Sequence, residues 1–177
     1  MPDLRRPFVF LDRDGTLVAD TGYPHRLEDY ALLPSAALAA RRLSDAGWRL
    51  AIVTNQSGIA RGLFDEGDFW RFHNRLLSDL ARAGAPIAAT LFCPHSPDDE
   101  CTCRKPNPGL LLRAEAEFGA KLSRSLVVGD RSRDIEAGRR AGCLGGIQIG
   151  ADGDATDLSA AADKILAGTY PIFDSKD

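Results

Sequence analysis

Short apolar runs recur along this chain, separated by longer stretches in which apolar positions return with helical spacing. The runs fall at 8–11 (Phe-Val-Phe-Leu), 50–53, 90–92, 126–128 and 147–149. Nearly unbroken apolar runs of this length read as strands buried on both faces of a sheet. The spacing between them predicts helices. One covers 35–46, following Pro34 and stopping at Gly47, a residue suited to a helix C-terminus. A second covers 65–83, with Phe69, Phe72, Leu76, Leu77 and Leu80 on one stripe. A third covers 108–118, opening on Pro108 and ending before Gly119, and a fourth covers 133–141, ending before Gly142. The tail, 151–177, is weakly patterned, and a short strand is expected at 164–166. Strand and helix alternate throughout. That order predicts an α/β fold with a doubly wound, mostly parallel sheet and right-handed crossovers, in one domain over 1–177.

The residues just past each strand point from architecture to chemistry. After the first strand comes Asp12-Arg13-Asp14-Gly15-Thr16, and after the second Thr54-Asn55-Gln56-Ser57-Gly58. After the third comes a Cys/His loop leading to Arg104-Lys105-Pro106, and after the fourth Gly129-Asp130-Arg131-Ser132-Arg133-Asp134. In an open α/β sheet the C-terminal strand ends form one edge, where ligands bind. Asp and Gly also make ordinary turns, but turns alone would not gather every chemically capable group on one edge.

Each group suits one task in phosphoryl transfer. Asp12, first after a buried strand, is the expected nucleophile, forming an aspartyl phosphate. Asp14 is the expected general acid toward the leaving alkoxide and then base toward water. Asp12, Asp14 and Asp130 supply hard oxygen ligands for Mg²⁺, and three neighbouring carboxylates repel one another without a cation. Thr54, the amides of Asn55, Gln56 and Ser57, and the Lys105 ammonium can donate to phosphoryl oxygens, where transition-state charge develops. Cys93, His95, Cys101 and Cys103 meet the Cys₃His requirement for a structural Zn²⁺, and free thiols in a Pro/Asp-rich loop are the alternative.

Composition narrows the partners. The chain has 177 residues, 44% hydrophobic and 27% charged, with a net charge of −3 and no dense Lys/Arg block. A nucleic-acid binder would carry a basic face, so none is expected as a partner. No apolar stretch approaches membrane-spanning length, and the start carries no signal-peptide pattern. Cysteine usage does not resemble a disulfide framework. A cytoplasmic protein is expected.

The order Asp-x-Asp-Gly-Thr, strand-end Thr, Lys-Pro and Gly-Asp-x-x-x-Asp, over residues 8 to about 150, resembles the haloacid-dehalogenase-like phosphatases. The resemblance implies Mg²⁺-dependent phosphoryl transfer through an aspartyl phosphate on a Rossmann-like sheet. It implies Asp12 as nucleophile, Asp14 as acid/base, Thr54 and Lys105 as phosphate stabilisers and Asp130 as Mg²⁺ ligand. Asp134 then acts indirectly, through water or Lys105, and Arg131 reaches substrate or lends its carbonyl near the metal.

The segment 54–62 together with Cys-x-His…Cys-x-Cys-Arg-Lys-Pro is similar to the D-glycero-D-manno-heptose 1,7-bisphosphate 7-phosphatase family. Histidinol-phosphate phosphatases share the zinc loop (93–103) but typically continue Gln-Asp-Gly where this chain has Gln56-Ser57-Gly58. The resemblance implies that Asp20, Thr21, Gly22 and Tyr23 contact substrate, and it implies work on lipopolysaccharide or surface-glycan precursors. A bisphosphate leaves a second phosphate to hold, for which Arg104 offers a two-pronged fork; Arg61 could do the same. Between the first strand and first helix lie roughly 20 residues, too few for a large cap domain, and a monomer is expected. Two other classes stay open at this level: a non-enzymatic phospho-aspartate switch and a polynucleotide end phosphatase.

Overall fold

Five strands, mostly rich in β-branched and leucine residues, form one parallel sheet in the computed structural model, which describes residues 6–174. They are β1 (Phe8–Leu11), β2 (Arg49–Asn55), β3 (Ile87–Cys93), β4 (Leu126–Gly129) and β5 (Gly145–Gln148). The order across the sheet is β3-β2-β1-β4-β5, and every adjacent pair is parallel. This is a doubly wound order, with the chain reversing its direction of travel across the sheet after β3. β1 is therefore central, and the crevice above it lies where ligands bind in such sheets.

Helices cover both faces: α1 (Ala36–Asp45), α2 (Glu66–Arg82), α3 (Gly109–Phe118), α4 (Ser132–Ala141) and α5 (Leu158–Ala167). Alternation along β1 splits the core in two. Val9 and Leu11 pack with Leu43 of α1, Phe72 and Leu76 of α2, and Ile165 of α5. Phe8 and Phe10 pack with Leu110 and Ala114 of α3 and Ala137 of α4. Successive side chains of a strand point to opposite faces, so a central strand apolar at every position joins both cores. α2 begins on a reciprocal cap, in which Asp65 accepts from the Asp68 amide at 2.8 Å and Asp68 from the Asp65 amide at 3.1 Å.

One element differs from the sequence reading. Residues 164–166 are not a strand but lie within α5. Leu158, Ala161, Ala162 and Ile165 are buried at helical spacing. The Asp157 side chain caps the start through the Ala160 amide at 2.9 Å, and Gly168, at φ 69°, ends the helix. An ion pair at 2.7 Å between Arg42 and Asp163 ties α5 to α1. Between β1 and α1 the only regular element is a 3-10 turn at Leu27–Asp29, so no large cap covers the sheet edge. Among the described residues, no helix is long and apolar enough to cross a membrane.

Candidate active site and metal centres

The strand ends converge on a cavity of about 240 Å³. Its lining includes Asp12, Asp14, Asp20, Gly22, Tyr23, Thr54, Asn55, Gln56, Ser57, Arg104, Lys105, Asp130 and Arg131. Each of these is expected from the sequence. Thr21, exposed at the rim, does not line the cavity. Arg61 and Arg133 also line it; of the two, only Arg133 escapes the sequence reading. Its signal is the Arg-x-Arg pattern straddling the start of α4, a common surface arrangement.

Packing fixes the inner wall. The Asp12 amide donates to Val128 O at 3.0 Å, continuing the β1–β4 pairing past the strand, so its carboxylate starts from a rigid backbone. Asp130 follows β4, and a side chain at Gly15, whose φ is +80°, would collide with the Asp130 carboxylate. The glycine thus allows the two loops to approach. Lys105, almost fully buried, reaches Asp12 Oδ1 at 3.0 Å, Asp134 Oδ1 at 2.7 Å and Val53 O at 2.6 Å. Burial alone would pull its pKa down, but the two carboxylates outweigh that and hold it above the ordinary lysine value. Its backbone is clasped from both sides by Asn55, which accepts from the Lys105 amide at 3.0 Å and donates to its carbonyl at 3.1 Å.

The residues after β2 are more committed than their sequence suggests. Gln56 Nε2 donates to Thr54 Oγ1 at 2.8 Å and to Asp14 Oδ2 at 3.0 Å, and the Gln56 amide donates to Cys93 O at 2.7 Å. The side chains of Asn55 and Gln56 therefore hold other site residues in position, while both still border the cavity.

The carboxylates that come together are Asp12, Asp130 and Asp134, each with one oxygen within 4.8 Å of the others'. The sequence reading groups Asp14 with Asp12 and Asp130 as ligands. Instead, the buried Arg13 guanidinium holds the Asp14 carboxylate, Nε to Oδ1 at 2.8 Å and Nη2 to Oδ2 at 3.1 Å. Nothing in the sequence singles out Arg13, which reads as the filler between two aspartates. Asp134 is occupied twice over: one oxygen pairs with Lys105, and the other accepts from the Arg131 amide at 3.0 Å, capping α4. Asp130 Oδ1 is buried without a hydrogen-bond partner among the described residues. Burial, reinforced by the Asp12 charge and opposed by Arg131, pushes the Asp130 carboxyl up to about 6. An orphaned acceptor in a cluster of hard oxygens fits a divalent cation such as Mg²⁺.

Arg131 bridges the mouth, with Nε 3.1 Å from Asp130 Oδ2 and Nη2 3.4 Å from Asp20 Oδ2. Beside the cavity, Cys93 at the end of β3 meets His95, Cys101 and Cys103. The Sγ atoms of Cys93 and Cys103 lie 3.2 Å apart, both lie 3.6 Å from Cys101 Sγ, and His95 Nδ1 lies 3.2 Å from Cys103 Sγ. Sulfurs bound tetrahedrally at about 2.3 Å from one ion sit about 3.8 Å apart, so this donor set fits one soft, four-coordinate ion. No two sulfurs approach disulfide distance, and Cys143 is buried apart, in the core beneath α3 and α4.

Known proteins extend this geometry. A family model described as HAD-hydrolase-like matches residues 102–165. A D-glycero-D-manno-heptose-1,7-bisphosphate 7-phosphatase of Thermosynechococcus vestitus is 42% identical, over 93% of this chain and 85% of its own length. The D-glycero-beta-D-manno-heptose-1,7-bisphosphate 7-phosphatase of Pseudomonas aeruginosa is 42% identical, over 79% of each chain. Among solved structures, the D,D-heptose 1,7-bisphosphate phosphatase of B. bronchiseptica, complexed with magnesium and phosphate, superposes with a TM-score of 0.83 at 33% identity, covering 92% of this chain and 99% of that one. With the same fold and 42% identity over 93% of its length, the chain belongs to the heptose-1,7-bisphosphate 7-phosphatase family of haloacid-dehalogenase-like hydrolases and is a phosphoric monoester hydrolase.

Proposed function

We propose that this chain removes the C7 phosphate of D-glycero-D-manno-heptose 1,7-bisphosphate in the cytoplasm, acting as a monomer on a precursor of lipopolysaccharide or surface glycans. The observation that carries the reading is one cavity holding Asp12, Thr54, Lys105 and Asp130 at its inner end and Arg61, Arg104, Arg131 and Arg133 among its other lining groups. A substrate with two phosphates needs both: one phosphate reacts while the other is held by fixed positive charge.

Asp12 attacks phosphorus. The bond to the C7 oxygen breaks, the leaving alkoxide takes a proton from Asp14, and phosphorus stays on the Asp12 carboxylate as an acyl phosphate. Asp14 then takes a proton from water, whose oxygen attacks phosphorus; inorganic phosphate departs and Asp12 is regenerated. Thr54 donates to the phosphoryl oxygens, Lys105 turns the hydrogen it gives Asp12 towards them as Asp12 takes up phosphorus, and Asp134 and Val53 O hold its ammonium in place. Asp12 and Asp130 would hold Mg²⁺, which supplies charge neutralisation at the phosphoryl group when bound. Cys93, His95, Cys101 and Cys103 would hold Zn²⁺, which gives the loop its shape rather than any chemistry. Arg104 and Lys105 directly follow the last thiol, so that shape sets where two cations stand.

Phosphate release measured with Mg²⁺ on heptose bisphosphate, fructose bisphosphate, histidinol phosphate and a 3′-phosphorylated oligonucleotide tests the assignment. The highest kcat/KM is expected for heptose bisphosphate; a higher value for any of the others would replace it. A phosphoenzyme lasting minutes would point instead to a switch.

A further inference from the structure

Arg13 stands between the two aspartates of the β1 loop, yet it does not line the cavity. Its side chain is wholly buried, with the guanidinium carbon 4.8 Å from the Phe72 ring centroid and 5.3 Å from that of Phe69. Its hydrogen bonds run to three parts of the site. Nε and Nη2 take both oxygens of Asp14, and Nη2 also reaches Gln56 Oε1 at 3.1 Å and Pro24 O at 2.9 Å. Gln56 in turn holds Asp14 and Thr54. A planar fork gripping a carboxylate at both oxygens fixes its orientation as well as its distance, which an ammonium cannot do. The aromatic walls fix the fork itself.

We infer that Arg13 is the positioning residue of the proton-transfer steps: it sets the Asp14 carboxylate against the leaving oxygen and, through Pro24 O, ties it to the 20–24 segment that meets the substrate. This rests on the acid/base assignment of Asp14 made above. A proton donor held in place matters only when the leaving group needs a proton. A sugar alkoxide does, whereas p-nitrophenolate leaves without one.

The test uses the full chain with Mg²⁺. Arg13→Met keeps an unbranched chain against Phe69 and Phe72 but removes the fork, and Arg13→Lys keeps the charge as a single point donor. Each is assayed on heptose bisphosphate and, as the pre-steady-state burst of nitrophenolate, on p-nitrophenyl phosphate. Arg13→Met is expected to lose about 10²-fold in kcat on the sugar phosphate, with the burst rate within about 10-fold of wild type, and Arg13→Lys to recover part of the loss. Equal losses on the two substrates, or none on the sugar phosphate, overturn the inference. If Arg13→Met does not fold by circular dichroism, the ratio of the two substrates in Arg13→Lys decides. Asp14→Asn, run in parallel, separates the levels. If it too lacks leaving-group selectivity, the acid/base reading falls and the inference with it. If Asp14→Asn is selective and the Arg13 variants are not, the inference alone falls.

Discussion

At the ends of β1 and β4 the donor atoms are carboxylate oxygens, carried on strand ends and hemmed in by a buried lysine. At the end of β3 they are three thiols and an imidazole on a loop that has only a short 3-10 turn, Pro97–Asp99, of its own. The first cluster is held by the fold around it: sheet pairing fixes Asp12, Gly15 admits Asp130, and Asp134 is capped and paired. The second has one donor on a strand, Cys93, and draws its other three from the chain beyond it. Hard oxygens leave room for water and phosphate, whereas four soft donors close their ion off. One sheet edge can thus carry a cation for chemistry beside a cation for shape, provided the donors differ enough to sort the ions.

The largest effect expected is from Asp12→Asn, which should reduce turnover by at least ~10³-fold while elemental analysis still finds one zinc per chain. Loss of zinc in this variant would break the separation between the two regions. Next, Lys105→Met should lower kcat by about 10²-fold; it also leaves Asp134 without its buried cation, so the melting temperature should drop too. A smaller, differently shaped effect is expected from Cys101→Ser or from chelation that strips the loop. The melting temperature should fall by roughly 5–10 °C and KM should rise several-fold, with kcat changed less. Unaltered kinetics in protein proven zinc-free would refute the loop's role in holding Arg104 and Lys105.

The smallest effect is a pH slope confined to the oxygen cluster. Burial raises the Asp130 carboxyl to about 6 and moves Asp14 and Asp134 in the same direction. A carboxyl raised on folding binds its proton more tightly in the folded chain, so its stabilisation is complete below the ordinary value of 3.8 and is lost as pH climbs through 6. The metal-free protein should therefore melt a few degrees lower at pH 7 than at pH 5, and saturating Mg²⁺ should flatten that slope. Glu136, held down to about 2 by Arg139 and Arg140, titrates below this window. A slope unchanged by Mg²⁺ would show that the ion does not sit among these carboxylates.

Much of the site is legible in the sequence because it depends on the residues that come directly after a buried strand. Asp12, Thr54, Lys105 and Asp130 are each strand-end or loop residues with few other reasons to be there, and they do converge on one cavity. The orientation of side chains is not legible. Asp14 turns to Arg13, whose buried guanidinium pairs with both its oxygens, and nothing in Asp-Arg-Asp says which neighbour a side chain prefers. The side-chain amides of Asn55 and Gln56 are engaged with Lys105 and Asp14 across gaps of 50 and 42 residues, partners that spacing cannot reveal. The tail misleads for a simpler reason. Its alanine-rich stripe has little hydrophobic contrast, so the helix is announced chiefly by Asp157 and Gly168 at its ends.

The central position of β1 has a consequence for how the molecule can breathe. Backbone amides locked by neighbours on both edges exchange with solvent last, so hydrogen exchange should find those of β1 slower than those of the 20–24 rim loop. On the proposed mechanism, substrate then passes the rim while the Asp12 carboxylate stays anchored to the centre of the sheet.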